Sequence, residues 1–124
     1  MNIGIIGYGS MGKMLAQKIA ASGYSEIQNV FVANRSKEKL ISIPNELCTC
    51  KSNAELAEKS DIIFVCVRPS DIKPVIKEIK DSVKKDALLV SLNGSVTFEM
   101  LEKLIQHKIA KVIPNAFRQK LGKF

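Results

Sequence analysis

The 124-residue chain has no tryptophan, a single histidine (His107), four prolines and three cysteines, and all of its apolar runs are short. Each scarcity removes a class of function. No run approaches the roughly 20 apolar residues that cross a bilayer, so no membrane span or membrane partner is expected. The amino terminus has no basic segment ahead of its first apolar run and no small-residue cleavage site after it. That argues against a secretory leader and makes the cytoplasm the expected location. Cys48 and Cys50 stand in a C-T-C spacing that suits neither zinc nor dithiol redox chemistry, and no histidine lies nearby. With Cys66 they read as small apolar core residues in strands. His107 follows an expected helix and reads as a surface residue. No metal site is expected.

Acidic residues are also in short supply. The formal charge is +7, and from Lys108 to the end there are five basic residues and no acidic one. Basic stripes are one signature of nucleic-acid binding. Here the tail has only Phe117 and Phe124 as aromatics and carries no nucleic-acid motif. The expectation is a solvated basic surface, with no nucleic-acid partner.

What the chain does have is an alternation of strand-like and helical stretches. "NIGIIG" (2–7) reads as a first strand, followed by a helix from Ser10 to Ala21 that Ser22–Gly23 stops. "NVFVAN" (29–34) is a second strand, and Ser36 opens a short helix over 37–42 that Pro44 closes. "LCTC" (47–50) is a third. "SNAE" (52–55) has the capping-box pattern and starts a helix to Lys59. "DIIFVCV" (61–67) reads as a strand buried on both faces, followed by a helix over 72–80 with Pro74 in its first turn. "ALLVSL" (87–92) is a fifth strand, Thr97 caps a helix to Ile105, and "KVI" (111–113) is a sixth strand before Pro114. This order predicts an α/β fold, a doubly wound parallel sheet of about six strands with helices on both faces.

The loop between the first strand and its helix reads "GYGSMG". In that context each glycine has a task. Gly7 allows the tight turn, Gly9 lets the backbone approach a pyrophosphate, and Gly12 lets the helix pack closely. Phosphate oxygens would accept from the unpaired N–H groups of the helix start. The second strand ends in Asn34, Arg35 and Ser36, 22 to 24 residues beyond Gly12, where an NAD site usually places a carboxylate. Without that carboxylate, Arg35 offers a planar fork to a 2′-phosphate and Asn34 and Ser36 offer auxiliary donors. The expected cofactor is NADP(H).

Five segments in order, "IGIIGYGSMG", "VANRSKEKL", "DIIFVCVRPSDI", "LLVSLNGSVTFEMLE" and "KVIPN", cover Asn2 to Asn115. They resemble the amino-terminal domain of pyrroline-5-carboxylate reductases, which reduce a cyclic imine to proline with NADPH. Competence-associated homologues share that domain. The resemblance implies a Rossmann-like fold in which Gly7, Tyr8, Gly9, Ser10, Met11 and Gly12 hold the pyrophosphate and Asn34, Arg35 and Ser36 the 2′-phosphate. It places Asn53 near the adenosine. Val67, Arg68, Pro69, Asn93, Gly94 and Ser95 would lie along the cofactor, and Asn115 would orient the nicotinamide end.

Departures from the family pattern fall at Arg68-Pro69-Ser70 for Lys-Pro-Gln, at Asn93-Gly94-Ser95 for Ala-Ala-Gly, and at Ala116-Phe117 for Thr-Pro. The family's helical domain, which forms the dimer and the substrate pocket, would follow residue 115. The expectation is an NADP-binding domain over 1–115 with a basic tail over 116–124, inactive alone and oligomeric only with that further domain. No catalytic residue is assigned. Two other readings stay open: a non-catalytic NADP-binding or regulatory module, and a domain of another NADP-dependent dehydrogenase.

Overall fold

The structure, a computed structural model, describes residues 1–23, 25, 27–41, 43–44, 46–91 and the backbone of 109–111. Six strands form one sheet: β1 (Asn2–Ile6), β2 (Asn29–Ala33), β3 (Leu47–Thr49), β4 (Ile62–Val65), β5 (Leu88–Ser91) and β6 (Ile109–Lys111). Their spatial order is β3-β2-β1-β4-β5-β6, and every neighbouring pair is parallel. The helices are α1 (Ser10–Ala21), α2 (Asn53–Lys59) and α3 (Ile72–Ile79). Among the described residues no helix is long and apolar enough to cross a membrane.

Strand order and handedness together set the layers. From β1 the chain steps one way to β2 and β3, then returns past β1 and steps the other way through β4, β5 and β6. Right-handed crossovers in opposite directions put their connections on opposite faces. The two cores show this. Ile3 and Ile5 of β1 pack with Leu15, Ala16 and Ile19 of α1, whereas Ile6 packs with Leu56 of α2 and Val75, Ile76 and Ile79 of α3. Period-two alternation along the strand divides the side chains between the cores. Gly4 faces α2, where a Cβ would fall 2.2 Å from the Ser60 hydroxyl and 2.5 Å from a Leu56 methyl, so the bare backbone sets that helix's close approach.

The helix ends follow local chemistry. Gly9 precedes α1, and Gly23 beyond its end has φ +70°, a left-handed conformation that glycine adopts without a Cβ penalty. At α2 the Ser52 hydroxyl accepts from the Glu55 N–H at 3.1 Å, and the Glu55 carboxylate accepts from the Lys51 N–H at 3.0 Å. That backbone bond holds the Glu55 carboxyl below its usual pKa. Pro74 sits third in α3, inside the first turn, where its missing N–H costs nothing.

Three expectations are corrected. The stretch after Ser36 is a 3-10 turn, Lys37–Leu40, and Ser36 makes no side-chain cap. Its bonds run from the Lys39 N–H to Ser36 and from the Ile41 N–H to Glu38. So short a segment cannot recover the cost of nucleating an α-helix. The sixth strand begins at Ile109, two residues ahead of expectation, because Ile109, Ala110 and Lys111 are in register with Leu89, Val90 and Ser91 of β5. The cysteines do not share one environment: Cys50 is buried, while Cys48 and Cys66 are half-buried. The helix expected after Thr97 lies outside the described residues.

Candidate functional site

The carboxyl ends of β1, β2 and β4 meet where the strand order reverses, which is where open α/β sheets take ligands. A cleft of about 740 Å³ opens there. Its base is the turn from β1 into α1. Gly7 has φ +99°, and a Cβ on it would lie 2.6 Å from the Cys66 carbonyl oxygen, so this turn admits only glycine. Its N–H donates to the Ala33 carbonyl at 2.8 Å, which ties the turn to β2.

Gly9 lines the cleft just ahead of α1, and a Cβ there would meet nothing within 4 Å. No side chain caps the helix. The Ser10, Met11 and Gly12 N–H groups precede the first intrahelical donor, which is Lys13 bonded to the Gly9 carbonyl at 2.8 Å. Unpaired donors at the positive end of a helix, beside open space, suit an anionic group.

The opposite wall is the turn after β2. Asn34 spans the two loops. Its Oδ1 accepts from the Tyr8 N–H and its Nδ2 donates to the Ser36 carbonyl, both at 2.8 Å. Both ends of that amide are therefore engaged in holding the turns together. Arg35 is 80% exposed and reaches Asp71 at 3.6 Å; Arg68, 77% exposed, reaches the other carboxylate oxygen at 3.7 Å. Such exposed pairs contribute little, about 0–1 kcal/mol, so both guanidinium groups can exchange partners cheaply. Lys37 donates to the Lys51 carbonyl at 2.8 Å. Five cations (Arg35, Lys37, Lys39, Lys51 and Arg68) face two carboxylates (Asp71 and Glu78) around the cleft.

Of the residues expected to hold a cofactor, Gly7, Gly9, Asn34, Arg35, Ser36, Asn53, Val67 and Arg68 line this cleft. Ser10, Met11, Gly12 and Pro69 do not, and Gly12 is buried against the turn. Tyr8 turns away into the α1-side core at 6% exposure. Its buried hydroxyl has no hydrogen-bond partner among the described residues, and burial raises its pKa. Asn93, Gly94, Ser95 and Asn115 lie outside the described residues. Cys66 reaches the cleft edge, where burial pushes its thiol up to about 12 and favours the protonated form.

Sequence reading missed Lys37, Lys39, Lys51, Asp71, Pro74 and Glu78 as cleft residues. The basic run "RSKEK" (35–39) could have flagged the first two. The remaining four reach the cleft only through the fold.

Fold and cleft together define a doubly wound α/β domain with a cleft at its switch point that is richer in cations than in carboxylates. The chain belongs to the family described as NADP oxidoreductase coenzyme F420-dependent, whose model matches residues 2–95. Among curated relatives, ComE operon protein 4 of Bacillus subtilis (strain 168) is 32% identical over 98% of this chain and 46% of its own length. Pyrroline-5-carboxylate reductase of Escherichia coli (strain K12) is 34% identical over 91% of this chain and 44% of its own. Pyrroline carboxylate reductase of Plasmodium falciparum, solved with NADP bound, superposes with a TM-score of 0.78 at 30% identity. That match covers 92% of this chain and 42% of that one. The pyrroline-5-carboxylate reductase of Coxiella burnetii also gives 0.78, at 31% identity over 94% of this chain and 46% of its own. The chain thus spans less than half the length of these relatives.

Proposed function

We propose that this chain is the NADP(H)-binding domain of a pyrroline-5-carboxylate reductase-like oxidoreductase. The observation that carries the reading is the pairing of two features in one cleft. Gly9 leaves open space at an uncapped helix start, and Arg35, Ser36, Lys37 and Lys39 stand at the end of β2 in place of a carboxylate. The family and the NADP-bound relative support it.

In this reading the pyrophosphate lies over Gly7 and Gly9 and accepts from the first N–H groups of α1. Arg35 leaves Asp71 to take the 2′-phosphate, with the Ser36 hydroxyl, which caps no helix, as a second donor. Asn34 acts as a brace between the two turns. Val67 and Arg68 border the cofactor where it leaves β4. When bound, the cofactor supplies a hydride for reduction of a C=N bond, with a small cyclic imine as the proposed substrate. Residues 1–115 form the binding domain and 116–124 a basic tail. The chain by itself binds cofactor without turning over an imine.

Arg35 supplies the test. A hydrogen bond to a charged group is worth about 1.5–3 kcal/mol, or roughly ten- to 150-fold in affinity. The high exposure of Arg35 places it at the lower end. Arg35→Ala is expected to weaken NADPH binding about tenfold and to leave NADH binding within about twofold, by calorimetric titration. Equal losses for both cofactors would show that Arg35 does not read the 2′-phosphate.

A further inference from the structure

Asp71 stands at the N-cap of α3, where a carboxylate ordinarily bonds the N–H of the second or third helical residue. Here its side chain caps nothing. The third residue is Pro74, which has no N–H to offer. The carboxylate lines the cleft instead and is divided between two turns. Its Oδ1 lies 3.6 Å from Arg35, which follows β2, and its Oδ2 lies 3.7 Å from Arg68, which follows β4. The Asp71 N–H donates to the Arg68 carbonyl at 2.9 Å, so the 3-10 turn Pro69–Asp71 keeps Asp71 beside Arg68 independently of Arg35. Arg35 is the freer member of the pair, at 80% exposure against 25% for Asp71.

We infer that Asp71 is an internal competitor of the 2′-phosphate, holding Arg35 until that phosphate takes its place and so limiting the preference for NADPH over NADH. The inference rests on the cofactor reading above. Arg35 exchanges one anion for another, and its charge is paired before and after. Asp71 keeps Arg68 when Arg35 leaves, so neither partner is stranded. Two costs remain. Binding of the 2′-phosphate must break the Arg35–Asp71 pair, and it brings a second negative charge close to the carboxylate, which Coulomb repulsion disfavours. Both fall on the 2′-phosphate alone, because NADH lacks that group and leaves Arg35 on Asp71. Asp71 is thus a positioning residue that acts on cofactor specificity through Arg35.

Asp71→Asn keeps the size of the side chain and removes its charge. NADPH and NADH are titrated calorimetrically, at matched ionic strength, into the native 124-residue chain, Asp71→Asn, Arg35→Ala and the double variant. Asp71→Asn is expected to bind NADPH about fivefold more tightly, the upper scale for one exposed ion pair, and NADH within about twofold of the native chain. In the Arg35→Ala background the same substitution is expected to change the NADPH-to-NADH ratio by less than about twofold, because the contested partner is gone. A purely structural role would move the thermal midpoint and leave the ratio where it was, which overturns the inference. Weaker NADPH binding in Asp71→Asn also overturns it, as does a change in the ratio that persists without Arg35. Equal weakening of both cofactors overturns it by making Asp71 an acceptor for a group that they share. If the native chain shows no preference for NADPH, the cofactor reading falls and this inference falls with it. A native preference that Asp71→Asn fails to raise sinks this inference alone.

Discussion

Gly12→Ala is expected to destabilise the domain by about 3 kcal/mol, in the upper range for overpacking a close contact. Helix propensity alone predicts the opposite sign, since alanine is better than glycine inside a helix by about 1 kcal/mol. Geometry decides between them. A Cβ on Gly12 would stand 1.8 Å from the Gly7 carbonyl oxygen and 3.5 Å from Cys66 Cβ. The nearest atom is backbone, held in a turn with positive φ that is itself bonded to Ala33. It has no side-chain torsion through which to move aside. Relief requires lifting α1 from β1, which opens the core of Leu15, Ala16 and Ile19 against Ile3 and Ile5. Chemical denaturation measures the loss, and the thermal midpoint is expected to fall by roughly 10 °C. An unchanged or raised midpoint would mean that α1 does not pack on the turn as described.

Gly9→Val is expected to have the opposite profile. The Gly9 backbone is extended, at φ −81° and ψ −161°, and open space lies where its side chain would be. Stability is expected to change by less than about 1 kcal/mol, the scale of exchanging one poorly capping residue for another. NADPH binding is expected to fall at least about a hundredfold, because valine would fill the space proposed for the pyrophosphate and hold it off the helix donors. The two glycines lie three positions apart, and one guards the fold while the other guards the ligand. A Gly9→Val variant that folds and binds NADPH normally would put the pyrophosphate elsewhere.

Much of this was legible from residues close together in sequence. Both ends of α1 followed from the glycines that flank it, and the capping box at Ser52 placed the start of α2. The six-strand parallel fold followed from the alternation of short apolar runs with amphipathic stretches. What escaped depended on contacts between distant segments. Tyr8 sits in the middle of the glycine loop, yet its ring enters the core, because side-chain direction in a turn is set by backbone torsions that spacing does not reveal. Asp71 and Glu78 come from the β4–α3 segment, and they meet Arg35 and Asn53 only because β1 brings its two neighbours together over one cleft. The bracing role of Asn34 was not legible either: its Oδ1 accepts from the Tyr8 N–H and its Nδ2 donates to the Ser36 carbonyl, leaving one amide N–H unused by these bonds. The start of β6 depended on its register with β5, a pairing that the apolar run "KVI" could not reveal.

The most direct test is a calorimetric titration of the native 124-residue chain with NADPH and with NADH at matched ionic strength. Heat is the suitable readout because the chain has no tryptophan. NADPH is expected to bind about tenfold or more tightly than NADH, as one charged hydrogen bond to the 2′-phosphate requires. Equal affinity for the two, or preference for NADH, would contradict the assignment of the cationic turn after β2 to the 2′-phosphate.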